Sequence, residues 1–189
     1  KTEIIGAYDS STGEETGAQL IRRIYPSLGV IPGLILAPGW SQIPEVGITL
    51  AAKAANINGV FKAMALLDLD TTKATKYTDC KKVKEDSGYT SAHCMVLWPY
   101  DKVGELILAK SAVVAAMMAY QDTENDDVPN LSPSNKLLGV TGQCLADGTE
   151  VCVDQDQAST INTYGVVTAT NVNGWRCWGN YTGAFPGSN

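Results

Sequence analysis

What the sequence lacks narrows it first. It has one histidine, His93, in 189 residues. His93 stands beside Cys94, and neighbours in a strand point to opposite faces, so the two do not share a metal. Neither GxGxxG nor GxxxxGK[ST] occurs, which removes the glycine-rich phosphate cradles. There is no run of Lys or Arg, and 14 basic against 20 acidic residues leave a net charge of −6. Nucleic acid is therefore not the expected partner. Long apolar runs are missing too. Ser111–Gln121 is uncharged but only about half of the roughly 20 residues a spanning helix needs. Ile24–Pro44 is also uncharged, but Pro26, Pro32 and Pro38 break any helix there. No membrane insertion is expected. The five cysteines (Cys80, Cys94, Cys144, Cys152 and Cys177) are odd in number. Their spacings fit no disulfide framework and no zinc pattern, so free thiols in a reducing compartment are expected.

What is there supports a folded core. Hydrophobic residues make up 44% and charged residues 18%, and a chain of this size buries roughly 70% of its extended surface. Ile4–Ala7 reads as a short strand. Ser11 with Glu14 and Thr12 with Glu15 form overlapping capping-box patterns, which predict a helix through Leu20, Ile21 and Ile24 that stops near Pro26. Gly33–Ala37 is a strand-length apolar run ended by Pro38-Gly39. Pro44 opens a helix with Val46, Leu50, Ala51, Ala54 and Ile57 on one face, closed by Asn58-Gly59. Val60–Leu67 is the next strand, followed by a lysine-rich helix over about 73–86. Ala92–Trp98 is a further strand. Pro99-Tyr100-Asp101 then starts a long apolar helix to about Tyr120, which must be largely covered by protein.

Strand followed by helix, four times over, predicts an α/β fold: a mostly parallel sheet with right-handed crossovers, covered by helices on both faces. Residues 1–128 are expected to form this α/β sandwich. Gln121–Asn130 is acidic and polar, an exposed connection. Residues 129–189 then change texture and read as the start of a smaller mixed α+β domain. Asp147-Gly148 marks a type I′ hairpin. Asp154 caps a short helix closed by Gly165. Val166–Ala169 and Trp175–Trp178 are strands around Asn173-Gly174. The chain begins at Lys1 rather than Met and ends just after a run rich in aromatics and glycine. It is expected to be a piece of a longer protein.

Two enzyme patterns can be tested at the strand ends, where open parallel sheets bind ligands. Gly39-Trp40-Ser41-Gln42-Ile43 sits between strand and helix as a nucleophile elbow does, and Ser41, then Asp68 or Asp70, then His93 follow the hydrolase order. Ile43 crowds the sharp turn, however, and His93 falls at the wrong end of its strand. That is about 15–20 Å away, whereas a base must come within about 3 Å of its proton. The bland alternative is that Ser41 caps or precedes the Pro44 helix. The second pattern is Asp68-Leu69-Asp70, which looks like the aspartate motif of magnesium-dependent haloacid-dehalogenase-type phosphatases. Two strands precede it here, and Asp126-Asp127 lies in a connection rather than after a strand. Solvated carboxylates near a helix N-terminus are the simpler reading.

Four further segments point elsewhere. Leu34–Ser41 (LILAPGWS) contains Pro38, Gly39 and Trp40. Trp98-Pro99 ends a strand. Asn130-Leu131-Ser132-Pro133-Ser134-Asn135 is followed by Gly139-Val140. Asn162–Thr168 (NTYGVVT) leads to Asn173–Thr182 (NGWRCWGNYT), with Gly174, Trp175, Trp178, Gly179, Asn180 and Thr182. In this order and spacing, from about residue 30 to 182, the chain resembles the contractile tail sheath proteins of phages and prophages. Tyr181 stands where that family usually has Arg, and Ile161 where Leu is common.

The resemblance implies a non-enzymatic structural subunit with no catalytic residues, no cofactor and no metal. It implies polymerisation of copies into a six-fold helical sheath around a tail tube, above a baseplate, and contraction that drives the tube through a cell envelope. It places the protein in the virion, and in the bacterial host cytoplasm during assembly. Sheath neighbours are joined by terminal extensions that add strands to one another's sheets, so the piece in hand is expected to be monomeric by itself. The signature residues above are expected to be structural. Trp175 and Trp178 should bury their rings and Asn180 should bond backbone in a turn. The lysine-rich helix (Lys73, Lys76, Lys81, Lys82, Lys84) is expected to be a solvated face that offers charge to neighbouring copies.

Overall fold

Short apolar runs that bury alternate residues on opposite sides organise this chain into a sheet with two separate cores. The computed structural model describes residues 1–187. Two short helices, α1 (Thr2–Ile5) and α2 (Ile24–Leu28), precede the first strand, β1 (Leu34–Leu36). Then come α3 (Pro44–Ala55), β2 (Met64–Asp68), α4 (Cys80–Ser87) and β3 (Cys94–Leu97). A hairpin of β4 (Tyr100–Val103) and β5 (Leu106–Leu108) leads into α5 (Lys110–Glu124). The remainder is β6 (Gly142–Cys144), β7 (Glu150–Val151), α6 (Gln155–Thr163), β8 (Val166–Asn171) and β9 (Trp175–Trp178).

The central sheet has the order β1-β2-β3-β8-β9. Its first four strands are parallel, with Ala65 opposite Cys94, Asp68 opposite Leu97 and Val96 opposite Val166; β9 joins antiparallel to β8. The fold is therefore α/β with a mostly parallel sheet. Backbone pairing between β3 and β8 crosses the expected division at 128/129. A second sheet, β5-β4-β6-β7, is antiparallel throughout. Ala65, Leu67, Val96 and Val166 point into a core shared with Val46 and Leu50 of α3, Val83 of α4 and Ile161 of α6. Leu66, Met95, Leu97 and Val167 point the other way, onto Val114 and Met117 of α5. Alternation along each strand makes one sheet serve both cores.

Several expectations need correction. Ile4–Ala7 is not a strand: Thr2–Ile5 is helical, and the chain folds back so that Ala7 N–H donates to Thr16 Oγ1 (2.9 Å) and Thr16 N–H to Ala7 O (3.0 Å). Gly6 and Gly17 allow that crossing, since a Cβ on Gly6 would lie 1.7 Å from Thr16 O. Ser11 and Thr12 cap no helix, because the Ser11 N–H and hydroxyl both donate to Asp9. Gly17–Arg23 is a tight 3₁₀ stretch, and α2 runs through Pro26 to Leu28. Proline is tolerated there because the first turn of a helix has no partner for that N–H. The second strand begins at Met64, after the left-handed pair Asn58-Gly59 and an exposed Val60. The lysine-rich helix is confined to Cys80–Ser87. Upstream of it, the side chains of Asp70 and Asp79 hold turns by accepting from Thr72 and from Lys76 N–H.

The largest correction lies after Pro99. No helix starts there. Tyr100–Val103 and Leu106–Leu108 pair across the two-residue loop Gly104-Glu105, with Gly104 at φ 59°. A glycine at the first position of such a loop is a hairpin signal. Val103, Leu106 and Ile107 have helical spacing but serve as strand residues, and the helix begins ten residues late, at Lys110. α5 then continues to Glu124, into the expected connection. The 147–148 hairpin forms, but only Gly148 has positive φ (89°), so the I′ geometry gives way to a wider loop in which Gly148 N–H donates to Leu145 O. Asp154 caps α6 as expected, with Gln157 completing a reciprocal pair.

Candidate functional site

Two groups of polar residues invite a functional reading. The first is a knot at the carboxyl ends of β1–β3. Asp68 closes β2 and is only 2% exposed. Its Oδ1 accepts from Ser111 N–H (2.8 Å), and its Oδ2 from the hydroxyls of Ser111 (2.5 Å) and Ser41 (3.0 Å). Ser41 Oγ accepts in return from Asp68 N–H at 3.0 Å. The carboxylate thus satisfies the free N-terminal amide of α5, where negative charge is favoured. Burial nevertheless pushes the Asp68 carboxyl up, against the hydrogen bonds from Ser111 and Ser41 and the Lys110 charge. Tyr89 Oη donates to Ser41 O (2.6 Å) and Trp98 Nε1 to Ala74 O (2.8 Å), tying the flanking loops to the same spot.

Beside it, Lys110 donates to Asp101, and neither side chain is exposed. The amide of Gln143, oriented by its surroundings, accepts from Lys110 Nζ (3.2 Å) and also pairs with both backbone groups of Ala169. One ion pair therefore joins β4, α5, β6 and β8. Burial raises the Asp101 carboxyl despite the adjacent ammonium, and Asp101 Oδ2 has no partner. The sequence did not single out Lys110, and it marked Asp101 only as part of a strand end and helix start. The signal that would have found them is the Gly104-Glu105 loop, which sets them side by side.

This knot is not arranged for catalysis. Ser41 is fully buried, donates to a carboxylate that also accepts twice from Ser111, and caps no helix; Ile43 precedes Pro44 of α3. His93 lies just before β3, at the opposite end of the strands from Asp68. Four residues along a strand separate those levels, about 13 Å, which leaves the serine without a base. Asp70 turns away, accepting from Thr72 N–H (3.0 Å) and Thr72 Oγ1 (2.6 Å) and pairing with Lys73. The phosphatase pattern needs both carboxylates on one ligand, and the chain sends them apart. Among the described residues, no three His, Cys, Asp or Glu side chains gather as a metal would require.

The second group is a clasp that brings together six of the signature residues, Ser132, Ser134, Asn135, Trp175, Trp178 and Gly179. Ser134–Leu138 lies antiparallel beside β9. Asn135 N–H donates to Cys177 O (2.7 Å), Cys177 N–H to Lys136 O (2.9 Å) and Leu138 N–H to Trp175 O (2.8 Å). Gly179 N–H reaches Ser134 Oγ at 3.3 Å, and Ser132 Oγ accepts from Ser134 N–H. Arg176 donates to Val172 O (3.0 Å) and Asn135 O (2.9 Å), so one guanidinium holds both sides. Asn135 has φ 65° and Gly179 φ 117°. A Cβ on Gly179 would meet the Asn162 side chain at 2.3 Å, and Asn162 itself donates to the carbonyls of Trp178 and Val166. Trp175 and Trp178, both half-buried, pack against the two cores from opposite faces of β9.

Five other signature residues lie outside the clasp. Pro38, Gly39 and Trp40 turn the chain after β1, four strands from β9 and so roughly 19 Å away. Trp40 is 46% exposed. Asn180 is exposed, and Thr182 O accepts from Phe185 N–H. Tyr181, in place of the usual Arg, stacks on Phe185 at 4.0 Å; Ile161 is fully buried. Lys84 is not part of a solvated face. Its ammonium is buried and donates to Tyr164 O (2.8 Å) and Phe185 O (2.6 Å), while Lys73, Lys76, Lys81 and Lys82 are exposed. Of the cysteines only Cys152 is exposed, and burial pushes the Cys177 thiol up to about 12.

No family profile matches the chain. A protein of Pseudomonas aeruginosa (strain UCBPP-PA14) that carries the name prophage major tail sheath protein is 28% identical over 184 residues, which is 92% of this chain and 44% of that protein. A chain in the cryo-EM structure of the anti-feeding prophage baseplate, 6-fold symmetrised, shares the fold with a TM-score of 0.58 at 19% identity, over 94% of this chain and 47% of the other. The chain thus spans less than half the length of the proteins it matches. In sequence the chain is similar to that one prophage tail sheath protein, in the direction its motifs anticipate.

Proposed function

We propose that this chain is the α/β part of a structural subunit of a contractile phage or prophage tail sheath. Copies of the longer subunit polymerise as a six-fold helical sleeve on the tail tube, joined to a baseplate, and contract to drive the tube through a cell envelope. The working location is the virion, after assembly in the host cytoplasm. The observation that carries this reading is the clasp: segments 130–140 and 173–182, far apart in sequence and both part of the motif resemblance, lie against each other through backbone bonds. A body that must slide as a unit while its interfaces repack needs such internal ties. The buried knot acts in the same sense, as a fixed joint rather than a reaction centre.

The test is to express the longer polypeptide that carries this chain and image it by electron microscopy. Tubes of sheath-like diameter are expected, whereas the 189-residue chain by itself stays monomeric at micromolar concentration. Hydrolysis of a generic ester or phosphate monoester at an ordinary enzymatic rate, abolished by Ser41→Ala or Asp68→Asn in a folded protein, would sink the proposal.

A further inference from the structure

Large apolar side chains left in water gather in two places. One is the strip that leads into β1, with Tyr25 42%, Leu28 71%, Val30 57% and Ile31 47% exposed. The other rims a groove of about 390 Å³ between α5, the β4–β5 hairpin and residues 137–140. Tyr120 (68% exposed) and Leu137 (56%) stand at its edge, Leu106 (63%) is on the adjoining hairpin, and Val113 and Val140 line it. Contiguous apolar surface with a polar rim marks an interaction site rather than ordinary surface.

The two patches lie on opposite faces of the central sheet. Ile21 packs into the core beneath α3, with Phe61, on whose ring Tyr25 rests at 4.7 Å. Val113 and Val140 join the core beneath α5. One molecule cannot bring its strip to its own groove. The balance of charge near them also differs, with Lys136 the one exposed cation beside Leu137 among the described residues. Arg22 and Arg23 share a single carboxylate, Glu15, at 3.1 and 2.5 Å, which leaves a surplus cation beside the strip. One turn beyond Tyr120, α5 ends in Glu124 followed by Asp126 and Asp127, none in an ion pair among the described residues, and the helix terminus adds its own negative end.

We propose that the groove of one copy receives the Tyr25–Ile31 strip of the next, in a head-to-tail contact between copies of this chain. Two unlike, mutually complementary patches make a heterologous contact, which continues from copy to copy instead of closing as a dimer. The choice of a second copy as occupant rests on the sheath reading; the patches and their signs do not.

The test uses sedimentation velocity on the 189-residue chain up to about 1 mM, a range where weak contacts become populated. A strip variant (Leu28→Asp with Val30→Asp) and a groove variant (Leu106→Asp with Leu137→Asp) change only exposed residues, and circular dichroism verifies that both fold. The unaltered chain is expected to grow past a dimer with concentration, less so at high salt. Each variant alone stays monomeric, and an equimolar mixture forms a pair and stops there, since one intact strip still finds one intact groove. A monomeric unaltered chain at the highest concentration, a variant that still associates alone, or a mixture that stays monomeric overturns the proposal. Tubes formed by the longer polypeptide carrying the groove substitutions would also overturn it while leaving the sheath reading intact. Failure of the unaltered longer polypeptide to form tubes would remove the sheath reading and leave the pair assay still decisive.

Discussion

The knot at Asp68 and Lys110 and the clasp at β9 are both dense polar assemblies, yet they are built on opposite principles. The knot uses charged side chains taken out of water, and burial raises both Asp68 and Asp101. The clasp uses mostly neutral backbone groups, with Arg176 half-exposed at its margin. Buried charge is costly unless every partner is present, so the knot tolerates little change. Backbone pairing depends instead on conformation, so the clasp is sensitive where glycine or a left-handed residue is required. A cluster that resembles chemistry in the sequence is here a buried, hydrogen-bonded joint. The part that carries the resemblance works through its main chain.

That contrast can be broken first at Lys110. Lys110→Met strands a buried carboxylate and should cost about 3–5 kcal/mol in urea unfolding. Lys110→Met with Asp101→Leu should recover most of that loss, and an equal loss in single and double variants would show that the pair is not coupled. In the clasp, Gly179→Ala forces a side chain into positive φ and onto Asn162. A loss of roughly 1–3 kcal/mol is expected, and an unchanged denaturation midpoint would mean that the backbone there is free to adjust. Arg176→Ala removes two bonds to carbonyls at a partly exposed site and should cost about 1–2 kcal/mol, with faster amide exchange at Asn135 and Leu138.

A smaller effect tests the knot by pH. The folded pKa of Asp68 lies above its usual 3.8. The native state therefore holds the proton more tightly, and this group's contribution is greatest below 3.8 and is lost as pH rises through the folded value. Measured against Asp68→Asn, the unaltered chain should gain relative stability as pH is lowered from 7 toward 3.8; a constant difference would mean that burial does not govern this carboxyl. Last, native alkylation should add one label, at Cys152. Rapid labelling of Cys177 would show that the β9 core opens.

Much of the framework was legible from the residues. Gly33–Ala37, Ala92–Trp98 and Val166–Ala169 are too apolar for a one-sided strand, and each supplies a strand of the central sheet. Pro44 and Asp154 marked helix starts that the structure keeps. The errors share a cause. Val103, Leu106 and Ile107 satisfy a helical repeat as well as a strand pair, and only Gly104 decides between them. Ser11 and Thr12 fit a capping pattern, but the close crossing of Gly6 and Gly17 takes those groups for a reversal of the chain. The knot was half visible. Ser41 and Asp68 were picked out for the wrong reason, while Ser111, Asp101 and Lys110 carry no motif and meet only through tertiary packing. The clasp was visible as words but not as a contact, since nothing in the spacing of 130–140 and 173–182 says that they pair.

Ser134–Leu138 also occupies the far margin of the central sheet, while among the described residues nothing pairs along the outer side of β1. Among the described residues, β9 is thus covered by a further segment, while β1 is an open border. β1 is only three residues long, and so short an edge offers little ladder to another strand. Runaway cross-β growth from this border is thereby held back.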